Sequence, residues 1–252
     1  MKKLLITLFL LISLVACTNN IPNITTQDPI EQYKEAVKLI SEANSIDATI
    51  DNKMSFVMGD LNQNMNFNIN IKTNNSLNPN DLKLSIDVIG NDNIDSSVYI
   101  NDGFIYTKAV GQKFKMPIEE ADDDVYEYNE QLNIDDYNPD VIKNLKSEII
   151  DGYTVISYDV DTSGIFGINS FTDEIEDELD DANIKTFIAK GQIKLDNNNQ
   201  VISNHISLEM EILANDISMK INSESLVTYN QINNVKIDLP EDLDNYKLIL
   251  ED

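Results

Sequence analysis

The run Asn64-Met65-Asn66-Phe67-Asn68-Ile69-Asn70-Ile71 alternates polar and apolar residues without a break, and that alternation decides the fold. Successive side chains on a β-strand point to opposite faces, so Met65, Phe67, Ile69 and Ile71 share one face and the asparagines the other. Upstream, Ile46, Ala48, Ile50, Met54, Phe56 and Met58 hold even positions, while Asp47, Thr49, Asp51, Lys53 and Ser55 hold odd ones. Downstream, Leu82, Leu84, Ile86 and Val88 repeat the pattern. Asp102-Gly103 marks a tight turn between Ser97 to Ile100 and Phe104 to Lys108, and Gly111 precedes a strand ending at Met116. Strands of this kind form an antiparallel meander with one wet face.

Period two returns at Tyr153 to Val160, Lys185 to Leu195, Ile202 to Ile212 and Ile217 to Tyr229, with Val235, Ile237 and Leu239 as a closing strand. Helical spacing occurs three times. Asp28-Pro29-Ile30-Glu31 is a helix start with an aspartate N-cap and proline at N1, and Ile30, Tyr33, Val37 and Ile40 then form one apolar stripe. Asn138 to Ile150, opened by Pro139, is a second helical stretch. Ile168, Phe171, Ile175, Leu179 and Ala182 outline a third, whose other faces are filled with aspartate and glutamate. About nine one-sided strands need cover for their apolar face, since each large side chain buried contributes roughly 1.5 to 3 kcal/mol. The expected fold class is therefore α+β: a curved antiparallel β-sheet, or half-barrel, wrapped over a few amphipathic helices.

The N-terminus has the parts of a secretory signal: Lys2 and Lys3, an apolar stretch from Leu4 to Val15, and the small residue Ala16. It is shorter than the roughly 17 to 25 apolar residues a spanning helix needs. The expected division is a signal peptide over 1–16, a flexible stalk over 17–28 and a single domain over 29–252. Removing the signal leaves 16 lysines against 44 acidic residues, a side-chain charge of −28. Nucleic acid is thereby excluded as a partner, because phosphate binding needs a cationic patch. With Cys17 the chain's one cysteine, no internal disulfide can form, and stability has to come from a packed core. All 18 basic residues are lysine, a bias that suggests a low-GC Gram-positive source.

Leu14-Val15-Ala16-Cys17 resembles the lipobox of bacterial lipoproteins. That resemblance implies a diacylglyceryl group on the Cys17 sulfur and a body anchored by lipid to the extracytoplasmic face of the cell membrane. Two acyl chains are enough for stable anchoring. Val98 to Met116 (VYINDGFIYTKAVGQKFKM) and Asn233 to Asp242 (NNVKIDLPED), together with the order of elements, resemble the LolA/LppX-like lipoprotein superfamily over Asp28 to about Leu250. Phe114 stands where members often carry tryptophan. The resemblance implies a sheet wrapped over helices and brings no catalytic residues with it.

Catalytic constellations are missing from the sequence. His205, the one histidine, sits on the polar side of its strand with Ser203 and Ser207, and there is no nucleophile-elbow motif, zinc spacing or phosphate loop. The cluster Glu119, Glu120, Asp122, Asp123 and Asp124 lacks the order of an EF-hand and reads as a solvated surface, with calcium binding by its carboxylates as the alternative. No enzyme activity, metal or cofactor is expected. The candidate site is instead apolar: Met54, Phe56, Met58, Met65, Phe67, Ile69, Met210 and Met219 fall on inward faces, and methionine adapts to a variable cavity. Ordinary core filling is the alternative reading of these residues. The expected function is a non-enzymatic lipoprotein binding a lipid or other hydrophobic small molecule between sheet and helices. A second expectation is an adaptor without a ligand cavity, in which the acidic helix Phe171 to Ala182 or the tyrosine-rich segment Asp123 to Tyr137 docks a cationic protein partner.

Overall fold

The computed structural model describes residues 28–74, 82–90, 95–118, 142–160, 183–214 and 217–249. One α-helix, α1 (Pro29–Ser41), precedes strands β1 (Ser45–Met58), β2 (Leu61–Asn74), β3 (Lys83–Gly90), β4 (Asp95–Asn101), β5 (Phe104–Ala109) and β6 (Gln112–Pro117). There follow β7 (Ile142–Ile150), β8 (Tyr153–Val160), β9 (Asn183–Leu195), β10 (Val201–Ala214), β11 (Ile217–Ile232) and the short β12 (Lys247–Leu248). All twelve belong to one open sheet ordered β12-β6-β5-β4-β3-β2-β1-β11-β10-β9-β8-β7.

Two meanders make up this sheet. Strands β1 to β6 pair with their sequence neighbours, as do β7 to β11, and β1 pairs with β11 to join the halves. That junction runs antiparallel from Ile46 opposite Ile232 to Met58 opposite Met219. The longest strands lie next to it, so the largest area of one-sided apolar surface is at the centre. The turn between β4 and β5 needs a left-handed backbone at two consecutive residues. Asp102 and Gly103 supply it at φ 50° and 77°, the combination that matches the twist of a two-residue hairpin.

Helix α1 begins where the capping residues place it, the Asp28 carboxylate accepting from the Ile30 N–H at 3.1 Å. Its buried stripe is Tyr33, Ala36, Leu39 and Ile40, and it packs on the inward face against β7, β8 and β10. The Tyr33 ring meets Tyr158 of β8 edge-on, with centroids 4.9 Å apart. These side chains share one core with Ile50 of β1, Ile69 of β2, Ile156 of β8 and Ile193 of β9.

Several expectations need correction. The helical spacing of Asn138 to Ile150 is a strand from Ile142 onward, paired with β8 through a register shift between Lys143 and Lys146. Tertiary pairing overrides the local spacing there, as the hairpin partner β8 takes the backbone hydrogen bonds of the segment into the sheet. Instead of a few helices, the described residues contain one α-helix, with a 3-10 turn at Leu243–Asn245. The acidic stretch 168–182 read as an amphipathic helix lies outside the described residues, as do the signal and the stalk up to residue 27 with Cys17, the acidic cluster 119–124 and the tyrosine-rich segment 123–137.

The closing stretch Val235 to Leu239 is not a strand. Its Val235 N–H donates to Ser45 Oγ at 3.0 Å and its Val235 carbonyl accepts from Asn74 Nδ2 at 2.9 Å. The chain then continues to the far edge, where β12 runs parallel to β6. Residues 235–249 also alter the outward side of the meander, which is not uniformly wet. Tyr99 and Tyr106 point outward on β4 and β5 and are buried with Tyr246, whose ring stands perpendicular to Tyr106 at 5.5 Å. Leu239 and Leu243 pack against the three rings. Lys113 pairs with Asp242 across this seam.

Candidate functional site

The inward positions of the four central strands follow directly from strand parity and register. They are even-numbered on β1 and β10 and odd-numbered on β2 and β11 as far as Val227. None of these positions is Asp, Glu or Lys, in a chain with 44 acidic residues and 18 lysines. On these four strands the charge lies on the other side of the sheet, where desolvation is slight; at the inward positions an unpaired charge would be costly.

Toward the β1–β2 turn, a second apolar cluster forms apart from the helix-covered core. Met54, Met210, Ile212 and Ile221 are its buried centre, with Met65, Met219, Phe56 and Phe187 packed around them. Register accounts for the assembly: Met54 lies opposite Met65 on β2, Phe56 opposite Ile221 on β11, and Met210 opposite both Ile221 and Phe187 on β9. Four of the chain's seven methionines are thus gathered in one place. Their unbranched, polarizable side chains can repack around ligands of different shape.

Of the eight lining residues expected from sequence, five belong to this cluster: Met54, Phe56, Met65, Met210 and Met219. Ile69 is buried in the larger core under α1, and Phe67 packs against that same core. Met58 is half-buried at the end of β1, opposite Met219 and Leu61. The inward face is therefore divided, and the expected row separates into a helix-covered part and a methionine-rich part.

Between the two parts runs a polar belt that the apolar reading of the rows missed. Asn52 of β1 lies opposite Ser225 of β11, and Met54 lies opposite Ser223. Asn52, Ser223 and Ser225 are only 2%, 5% and 1% exposed. Asn52 Oδ1 and both serine hydroxyls are buried without a hydrogen-bond partner, as is Asn204 Oδ1 on β10. A signal was present in the sequence: each residue interrupts an otherwise apolar row at an inward position, as in Ile50-x-Asn52-x-Met54 and Ile221-x-Ser223-x-Ser225-x-Val227. Their coming together was not legible, because β1 and β11 stand near opposite ends of the chain.

Tyr229 packs against the helix-covered core, and burial pushes its phenol well above the ordinary tyrosine range of 10.0. His205 lies outward on β10, opposite Leu226 and Gln192. Among the described residues, no group of three or more His, Cys, Asp or Glu side chains converges as a metal site, and no helix is long and apolar enough to cross a membrane.

Residues 26–150 match the model of DUF6612, a family of unknown function. No curated protein matches the chain. Among solved structures, it is similar to the lipoprotein LppX of Mycobacterium tuberculosis at 11% identity and a TM-score of 0.47, over 85% of this chain and 100% of that one. It is also similar to the ywiB protein from Bacillus subtilis at 11% identity and a TM-score of 0.23, over 75% of this chain and 94% of that one. A DUF1329 family protein from Desulfovibrio piger is similar at 12% identity and a TM-score of 0.26, over 84% of this chain and 96% of that one.

Proposed function

We propose that the chain is a non-enzymatic lipoprotein, tethered through a diacylglyceryl group on Cys17 to the extracytoplasmic face of the cell membrane, that holds a lipid or other amphiphile against the inward face of its sheet. The observation that carries this reading is the uncharged, methionine-rich cluster around Met54 and Met210, which stands apart from the helix-covered core. An apolar concave surface with a few polar groups is the usual make-up of a site for such ligands. The signal and lipobox residues Lys2 to Cys17 support the location.

The test is to express the full chain with its own leader in a bacterium, purify it from membranes and measure its intact mass together with that of its organic-solvent extract. The expected result is a mature chain starting at a diacylglyceryl-modified Cys17, and near-stoichiometric recovery of an amphiphile that is lost in a Met54→Asp/Met210→Asp variant still anchored normally. An unmodified Cys17 overturns the anchoring, and an extract free of any amphiphile overturns the binding.

A further inference from the structure

We infer that the polar belt Asn52, Ser223 and Ser225 is the subsite for an uncharged hydrogen-bonding group of the bound amphiphile, a hydroxyl or an amide, with the acyl chain lying on the adjacent Met54–Met210 cluster. This rests on the amphiphile-binding reading above and adds to it the class of ligand.

Four considerations support the assignment. First, a buried polar atom left without a partner carries its full desolvation penalty, so unpartnered atoms on facing strands add up to a substantial cost unless something satisfies them. The belt is built to be completed. Second, its placement is that of a boundary. Along β1, Ile50 of the helix-covered core precedes Asn52 and Met54 of the methionine cluster follows it. Along β11, Val227 and Ile221 stand in the same relation to the two serines. A group bound at the belt therefore has one apolar surface beside it that α1 covers and another that belongs to the methionine cluster.

Third, the chemistry of the unpartnered atoms is specific. An asparagine carbonyl oxygen only accepts, whereas a serine hydroxyl both donates and accepts. The complement is a group that donates as well as accepts, which a hydroxyl or amide does and a simple ester does not. Fourth, the absence of Asp, Glu and Lys from the inward positions of β1, β2, β10 and β11 leaves a carboxylate or phosphate without a counter-charge, and an ammonium likewise. The size is limited too. Inward positions on one strand are about 6.6 Å apart and neighbouring strands about 4.8 Å, which suits one small group such as a glycerol and not an extended headgroup.

The experiment uses the full chain carrying the uncharged dye N-phenylnaphthylamine, displaced by four ligands with the same oleoyl chain. Monoolein and oleamide are uncharged and donate hydrogen bonds; methyl oleate only accepts; oleate is charged. Monoolein and oleamide are expected to displace the dye at about tenfold lower concentration than methyl oleate and oleate. Ser223→Ala and Ser225→Ala, which remove one hydroxyl with little change in volume, should bring the first two to within about threefold of methyl oleate, which loses less because it can only accept at the belt. Equal displacement by all four ligands in wild type and variants overturns the inference while leaving amphiphile binding intact, and assigns the belt to trapped water. Failure of the dye and of every ligand to bind overturns both.

Discussion

Tyr158 of β8 lies across Gly191 of β9, its direct partner in the ladder, so closely that a Cβ on residue 191 would come 2.0 Å from the tyrosine Cζ. The bare backbone at 191 is what lets the ring lie over the strand there and pair with Tyr33 on α1 at an interplanar angle of 70°. A glycine that would weaken an isolated strand thus seats the helix.

Gly191→Ala is accordingly expected to cost about 1–3 kcal/mol, since the ring has to leave its place. Urea unfolding measures this. In a Tyr158→Ala background the same substitution should cost much less, and a double-mutant cycle that finds the two changes additive refutes the coupling.

Burial acts on the tyrosines in one direction. Desolvation is the leading cause of the raised phenol of Tyr229, and equally of Tyr99, Tyr106 and Tyr246 in the outward seam. The native state therefore keeps these protons at a pH where the unfolded chain has lost them. Their contribution to stability is complete below the ordinary value of 10.0 and declines as pH rises above it. A Tyr229→Phe variant should show a shallower alkaline decline in stability than wild type. Identical slopes from denaturant titrations above that pH would contradict the assignment.

The hairpin joining β5 and β6 places Val110 at φ 49°, and the residue is 95% exposed. A β-branched residue in the left-handed region is strained and here has no packing in return. Val110→Asn should stabilise the domain by about 1 kcal/mol, read as a shift in urea midpoint at unchanged slope.

In the outward seam, ring burial is expected to outweigh charge. Tyr246→Ala should cost about 3–5 kcal/mol, on the scale of deleting a buried aromatic, and expose residues 235–249 to protease. Lys113→Ala, which removes a pair whose side chains are about a third exposed, should cost less than about 1 kcal/mol. Equal losses from the two substitutions would contradict this ranking.

Replacing Asp28 by Ala should cost about 1 kcal/mol, with Asp28→Asn restoring most of it, because the interaction lost is the side-chain oxygen accepting from Ile30 N–H. Helical circular dichroism and urea unfolding report on both variants.

What could be read locally was read correctly where the signal is itself local. Alternation assigned the facing of Ile46 to Met58 and of Met65 to Ile71, Asp102-Gly103 marked its hairpin, and Asp28-Pro29 started α1, because parity, turn conformation and capping depend only on neighbouring residues. Two local readings failed, at Ile142–Ile150 and at Val235 to Leu239. In each, a partner distant in sequence decides where the backbone hydrogen bonds go: β8 takes the first into the sheet, and Ser45 and Asn74 hold the second outside it.

The candidate site divides in the same way. That Met54, Met65, Met210 and Met219 face inward is a property of each strand alone. That four of them form one cluster, with Phe67 and Ile69 assigned to a different one and Asn52 set against Ser225 between the two, follows from β1 pairing with β11 and from α1 covering one end of the inward face. Strand order and register are contacts between distant residues, chosen by how the whole sheet buries its apolar side, and no window of sequence contains them.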